Sequence, residues 1–183
     1  MKPTRIKEAH MIKKIAVLTL AAGLFAGRTA RAEEMGQKER HELAEAMETV
    51  KIPLEKGLAL AGRSEGKAIS GKFEIEGGKL QLSVYTEKGG KFSEVVVDDQ
   101  TGKIGKVEAI TEGEDLAAAK AQRAAMRKVK GSLRAAVEKA VKDNAGFVAV
   151  SVVPSVKDGK ATAGVTLIND EGREGKTVSE KLN

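Results

Sequence analysis

No cysteine occurs among the 183 residues. That excludes disulfides, thiolate metal sites, thiol nucleophiles and a lipid-bearing cysteine anchor. Tryptophan is also absent, and aromatics make up only 3% of the chain. Past residue 32 the only large rings are Phe73, Tyr85, Phe92 and Phe147, so the core has to be assembled from aliphatic side chains. Histidine is limited to His10 and His41. Long apolar runs are missing too: the longest, Ile15–Ala26, falls short of the roughly 20 residues that span a bilayer.

The net charge of +6 is confined to one end. Residues 1–32 carry Lys2, Arg5, Lys7, Lys13, Lys14, Arg28 and Arg31 against the single acid Glu8, and the remainder of the chain balances to zero. A polyanion partner requires a basic field and gains from counterion release. The neutral, interspersed charge of residues 33–183 therefore argues against nucleic acid and reads as a solvated surface. The basic start, the short apolar run and Ala30-Arg31-Ala32 together read as a secretory signal peptide cut between Ala32 and Glu33. This places the mature chain in the periplasm, or secreted, with no membrane span.

An internal repeat follows. Ala46–Leu54 runs parallel to Ala125–Leu133 at an offset of 79, while Gly78-Lys79 matches Gly159-Lys160 and Val84 matches Val165 at an offset of 81. In the first copy Met47, Val50, Leu54, Leu58 and Ala61 fall on one helical face, as do Met126, Val129, Leu133, Val137 and Ala140 in the second. Pro53 and Ser132 mark equivalent helix starts. Each copy thus reads as a leading helix, a break, and a core helix.

Period-two alternation then predicts strands. Ile69, Phe73 and Ile75 alternate with charged residues, Gly77-Gly78 turns the chain, and Leu80–Tyr85 and Phe92–Val97 follow, with a short extension at Ile104–Ile110. The second copy offers Phe147–Pro154, Ala161–Ile168 and Gly175–Leu182. The expected fold is α+β: two tandem units, each a helix on an antiparallel meander of about three strands, joined by a helix over Leu116–Lys130. The organisation is a signal peptide (1–32), a first unit with its leading helix (33–112), and a connecting helix with the second unit (113–183).

Several motifs invite a functional reading. Gly62-Arg63-Ser64-Glu65-Gly66 matches a nucleophile elbow, but the order here is helix then strand and no histidine follows it, so it reads as a glycine cap and loop. Gly66–Lys72 resembles a P-loop, yet Phe73 stands where a Mg²⁺-binding hydroxyl belongs. His41 sits on a charged helix without converging ligands. Glu112, Glu114, Asp115, Asp98 and Asp99 lack the spacing of a calcium loop, and Thr111-x-x-Glu114 reads instead as a capping box. No catalytic residue, cofactor or metal site is expected.

The segment Phe92-Ser93-Glu94-Val95-Val96-Val97-Asp98-Asp99-Gln100-Thr101-Gly102-Lys103-Ile104, a strand ending in D-x-x-T-G, resembles the PepSY family. The core helix, the Lys72–Tyr85 hairpin and Ile110–Leu116 are similar as well, with 53–110 and 132–182 covered. The second copy departs from the pattern, having no Asp-x-x-Thr-Gly turn. The resemblance implies a helix on an antiparallel sheet, Asp98, Thr101 and Gly102 as structural turn residues, and a protein partner, a peptidase outside the cytoplasm, that is bound or restrained. It brings no catalytic residues. The alternative function is a small-ligand or cation sensor, with the repeats enclosing a shared cleft.

Overall fold

The computed structural model describes residues 35–127 and 129–182. The signal peptide and its cut at Ala32 and Glu33 lie outside the described residues. In chain order the elements are α1 (Gln37–Met47), α2 (Leu54–Glu65), β1 (Lys67–Glu76), β2 (Lys79–Lys88), β3 (Lys91–Val97), β4 (Ile104–Ile110), α3 (Gly113–Met126), α4 (Leu133–Lys142), β5 (Phe147–Lys157), β6 (Lys160–Asn169) and β7 (Gly175–Lys181). The fold is α+β: the seven strands of the described residues join one antiparallel sheet in the order β4-β3-β2-β1-β5-β6-β7.

The helices start where chain chemistry allows. Pro53 and Ser132 are the residues preceding α2 and α4, and Ser132 Oγ accepts a 3.1 Å bond from the Ala135 amide. That contact satisfies one of the amides left free at a helix start. Leu54, Leu58 and Ala61 of α2 and Leu133, Val137 and Ala140 of α4 are buried, as their spacing predicts.

Adjacent residues of a strand face opposite sides, which assigns the helices to layers. Gly71 of β1 lies beneath Leu54 and Leu58, and Leu82 of β2 lies against Gly57, so α2 covers that face. α4 packs on β5, β6 and β7 and against α2, on the same face. The next residues point the other way and meet α3. Ser70 Oγ donates to Gln122 Oε1 at 2.9 Å, Tyr85 donates to Asp115 at 2.9 Å, and Arg123 reaches Glu87 at 3.4 Å while lying over the Phe92 ring. α1 ends beside the 98–102 turn, and its first half meets the β6–β7 turn, where Gly172 abuts the backbone of Arg40 and His41.

Beneath α2 and α4 a single row crosses the whole sheet: Val107, Val95, Val84, Gly71, Val152, Val165 and Val178. Its four central valines, Val84, Val95, Val152 and Val165, are fully buried. The register slips at Ala68/Ser70 in β1 and again, 81 residues on, at Ala149/Ser151 in β5.

Four expectations need correction. Ile104–Ile110 is a full strand of seven residues, so the first half supplies four strands rather than about three; Asp98–Gly102 is tight enough to return the chain along β3. The connecting helix runs from Gly113 to Met126 instead of Leu116 to Lys130, and Lys67 Nζ binds the Met126 carbonyl at 3.0 Å, satisfying a last-turn oxygen. Thr111 forms no capping box: Glu112 precedes the helix without a side-chain cap bond, and Gly113 at φ 72° turns the chain after Thr111 has passed. Ser64 belongs to the last turn of α2, not to a loop, and Gly66 closes that helix.

Candidate interaction edge and its supporting turn

Asp98 follows β3 and organises the turn. Its Oδ1 accepts from Thr101 Oγ1 (2.7 Å), Thr101 N (2.7 Å) and Gln100 N (3.2 Å). These bonds hold the carboxyl below the usual carboxylate range, the Thr101 hydroxyl contributing most. The backbone closes with Gly102 N to Asp98 O at 2.8 Å and Asp98 N to Lys103 O at 2.9 Å. Gly102 sits at φ 72°, and a Cβ there would lie 2.9 Å from Leu60 Cδ1. The position therefore calls for glycine both by conformation and by space.

The same turn anchors the α1–α2 connection. Asp99 O accepts from Lys51 N (3.0 Å) and Ile52 N (2.9 Å), and Gln100 Nε2 donates to Thr49 O at 2.8 Å. Asp98, Thr101 and Gly102 thus come together in one turn, directly before β4.

Among the described residues β4 is an edge strand with β3 as its one neighbour. Gly105 to Ala109 are all exposed, and Val107 is 43% exposed although it belongs to the valine row, because α2 lies chiefly over β1, β2 and β3. On the opposite face Lys106 and Glu108 pair at 2.8 Å. An edge strand leaves its outward N–H and C=O groups available to an added strand.

Behind β4, the face opposite α2 carries a polar network. Gln81 Nε2 donates to Ser83 Oγ (2.8 Å), Ser83 Oγ to Glu74 (3.1 Å), and Lys72 meets Glu74 at 2.6 Å. Burial lifts the Glu94 carboxyl above its ordinary range, and the nearby Glu74 charge reinforces the shift. Burial likewise raises Tyr85, helped by its bond to Asp115. Alternation in the sequence places Glu74 and Glu94 outward, but which carboxylates become neighbours depends on strand register, which no local signal carries.

The remaining candidates do not converge. Asp98 and Asp99 sit at the Ile104 end of β4, while Glu112, Glu114 and Asp115 follow its Ile110 end, a strand length away, with Asp115 engaged by Tyr85. Among the described residues no group of His, Asp and Glu is placed to hold a metal ion. His41 is exposed on α1, with Nδ1 3.2 Å from Glu171 O and Nε2 3.3 Å from Glu45. It borders a shallow depression of about 410 Å³ with Gln37, Lys38 and Arg173. Lys67–Lys72 of the P-loop-like stretch lie within β1. Among the described residues no helix is long and apolar enough to cross a membrane.

Comparison with family models, with curated proteins and with solved structures returns no match.

Proposed function

We propose that this chain is an exported, non-enzymatic binding module made of two PepSY-like units, and that it restrains an extracytoplasmic peptidase by offering β4 to an extended segment of that partner. The observation that carries this reading is the open, seven-residue edge at Ile104–Ile110, held by the Asp98–Gly102 turn. A peptidase cleft and its substrates present extended backbone, the form that adds to a sheet edge. The D-x-x-T-G turn, and the bulge repeated 81 residues apart, support the two-unit reading. The sensor alternative has no comparable support, since the candidate acids lie at opposite ends of β4.

The test is inhibition of a panel of secreted and envelope metallopeptidases by the purified protein, alongside capture from the native envelope fraction. Micromolar or tighter inhibition of one peptidase is expected. Val107→Lys, which adds a charge to the exposed edge, is expected to abolish it with an unchanged melting temperature. A panel left untouched, or inhibition indifferent to Val107→Lys, would count against the proposal.

A further inference from the structure

β4 reads Ile104-Gly105-Lys106-Val107-Glu108-Ala109-Ile110, a sequence whose chemistry is complementary to itself in reverse. When two copies of an edge strand pair antiparallel by symmetry, the two-fold axis stands perpendicular to the sheet and passes through one residue position. Centring the axis on Val107 sets Val107 against Val107 of the second copy. Lys106 then faces Glu108 of the second copy, and Gly105 faces Ala109. Centring it on Lys106 or on Glu108 sets like charges directly opposite each other, which is destabilising. Of these registers only the one centred on Val107 sets opposite charges across from each other.

From this self-complementarity we infer that β4 docks a second copy of this chain, antiparallel about Val107, joining two seven-stranded sheets into one. The structure leaves the required surfaces open. Val107 is 43% exposed at the outer end of the valine row, so pairing continues that row through a Val–Val contact. Lys106 and Glu108 lie together on the other face, 2.8 Å apart, each within reach of the opposite charge directly across a new strand. The bulge at Gly105, between the Val96 and Val97 registers, bends one end of the edge and limits the contact to the segment around Val107. Such an interface is small, so the dimer is reversible and weakens with salt, which screens exposed charge pairs. The inference stands without the peptidase reading. If both hold, a peptidase segment and a second copy compete for one edge.

The experiment is analytical ultracentrifugation of the purified protein without any peptidase, over a concentration series at low and high salt. A monomer–dimer equilibrium is expected. Lys106→Glu alone and Glu108→Lys alone each turn both cross-strand pairs repulsive and should raise the dissociation constant about tenfold or more. The double variant Lys106→Glu/Glu108→Lys reverses both charges, recreates the pairs and should return the constant to near its original value. Because the chain has no cysteine, Val107→Cys supplies a second readout: mild oxidation should link two chains through that position alone. A monomer at every concentration, a dimer indifferent to the single swaps, or a double variant that stays monomeric would each overturn the inference. These outcomes leave the peptidase assay unaffected, so either idea can fail alone.

Discussion

Gly71 and Val152 face each other across the centre of the sheet, and they are 81 residues apart, the same offset that separates the register slips of β1 and β5. The two positions differ in what covers them. A Cβ on Gly71 would lie 3.0 Å from Leu58 Cδ2 and 3.3 Å from Leu54 Cδ1, so α2 approaches β1 more closely than a valine allows. This pair of β1 and β5 also joins the halves with only two registered residue pairs, Gly71–Val152 and Lys72–Ser151, leaving the helices to supply most of the remaining cohesion.

Replacing Gly71 by valine should accordingly destabilise the fold by about 1–3 kcal/mol, the usual cost of inserting volume into a packed core. Chemical denaturation is the check. A neutral result would mean that Leu54 and Leu58 shift freely and that the close approach of α2 is not required.

Ser132→Ala should cost about 1 kcal/mol, because it removes the acceptor of the Ala135 amide at the start of α4. Thr111→Ala should stay within about 0.5 kcal/mol, since Thr111 caps nothing. Measured side by side, equal losses would restore the capping box that the helix start at Gly113 rules out.

Ser70 and Gln122 form a buried hydroxyl–amide bond between β1 and α3. Gln122→Leu leaves the Ser70 hydroxyl without this partner and should cost about 1–3 kcal/mol. Adding Ser70→Ala should recover part of that loss, which a double-mutant cycle would read as coupling. Strict additivity would show that the bond holds nothing together.

Glu94 has a folded-state pKa raised above its unfolded value, chiefly by burial. The folded protein then binds the extra proton more readily than the unfolded chain. Its contribution to stability is present at low pH, below the ordinary glutamate value of about 4.3, and is lost as pH rises through the higher folded value. Glu94→Gln should raise the melting temperature at neutral pH, with the advantage vanishing in acid. A melting-temperature gain that is the same at both pH values would place the effect elsewhere.

Asp98 behaves with the opposite sign. Its folded pKa is lowered, first by the Thr101 hydroxyl and then by the Thr101 amide, so the stability it adds is present above the ordinary aspartate range and lost as pH falls through the folded value. Asp98→Ala should increase amide exchange at Gln100 and Thr101 and, through Asp99, at Lys51 and Ile52. Exchange confined to the turn would separate it from the α1–α2 connection.

Much of this fold was legible because local chemistry acts over short distances. The apolar spacing of Leu54, Leu58 and Ala61, and of Leu133, Val137 and Ala140, determined both core helices and their buried faces. Alternation and glycine turns determined six of the strands, and Asp98, Thr101 and Gly102 determined the turn, all within a few residues of each other. Ile75 shows the limit of that reasoning: it alternates like a core residue, yet it is 40% exposed near the tip of the β1–β2 hairpin. The pairing of Gly71 with Val152, the meeting of Ser70 with Gln122, the open edge at Val107 and the burial of Glu94 were decided only in three dimensions. Each joins residues far apart in the chain or depends on which neighbour covers a surface. Hydrophobic pattern sets which side of an element turns inward, but register and coverage follow from how all the elements pack at once.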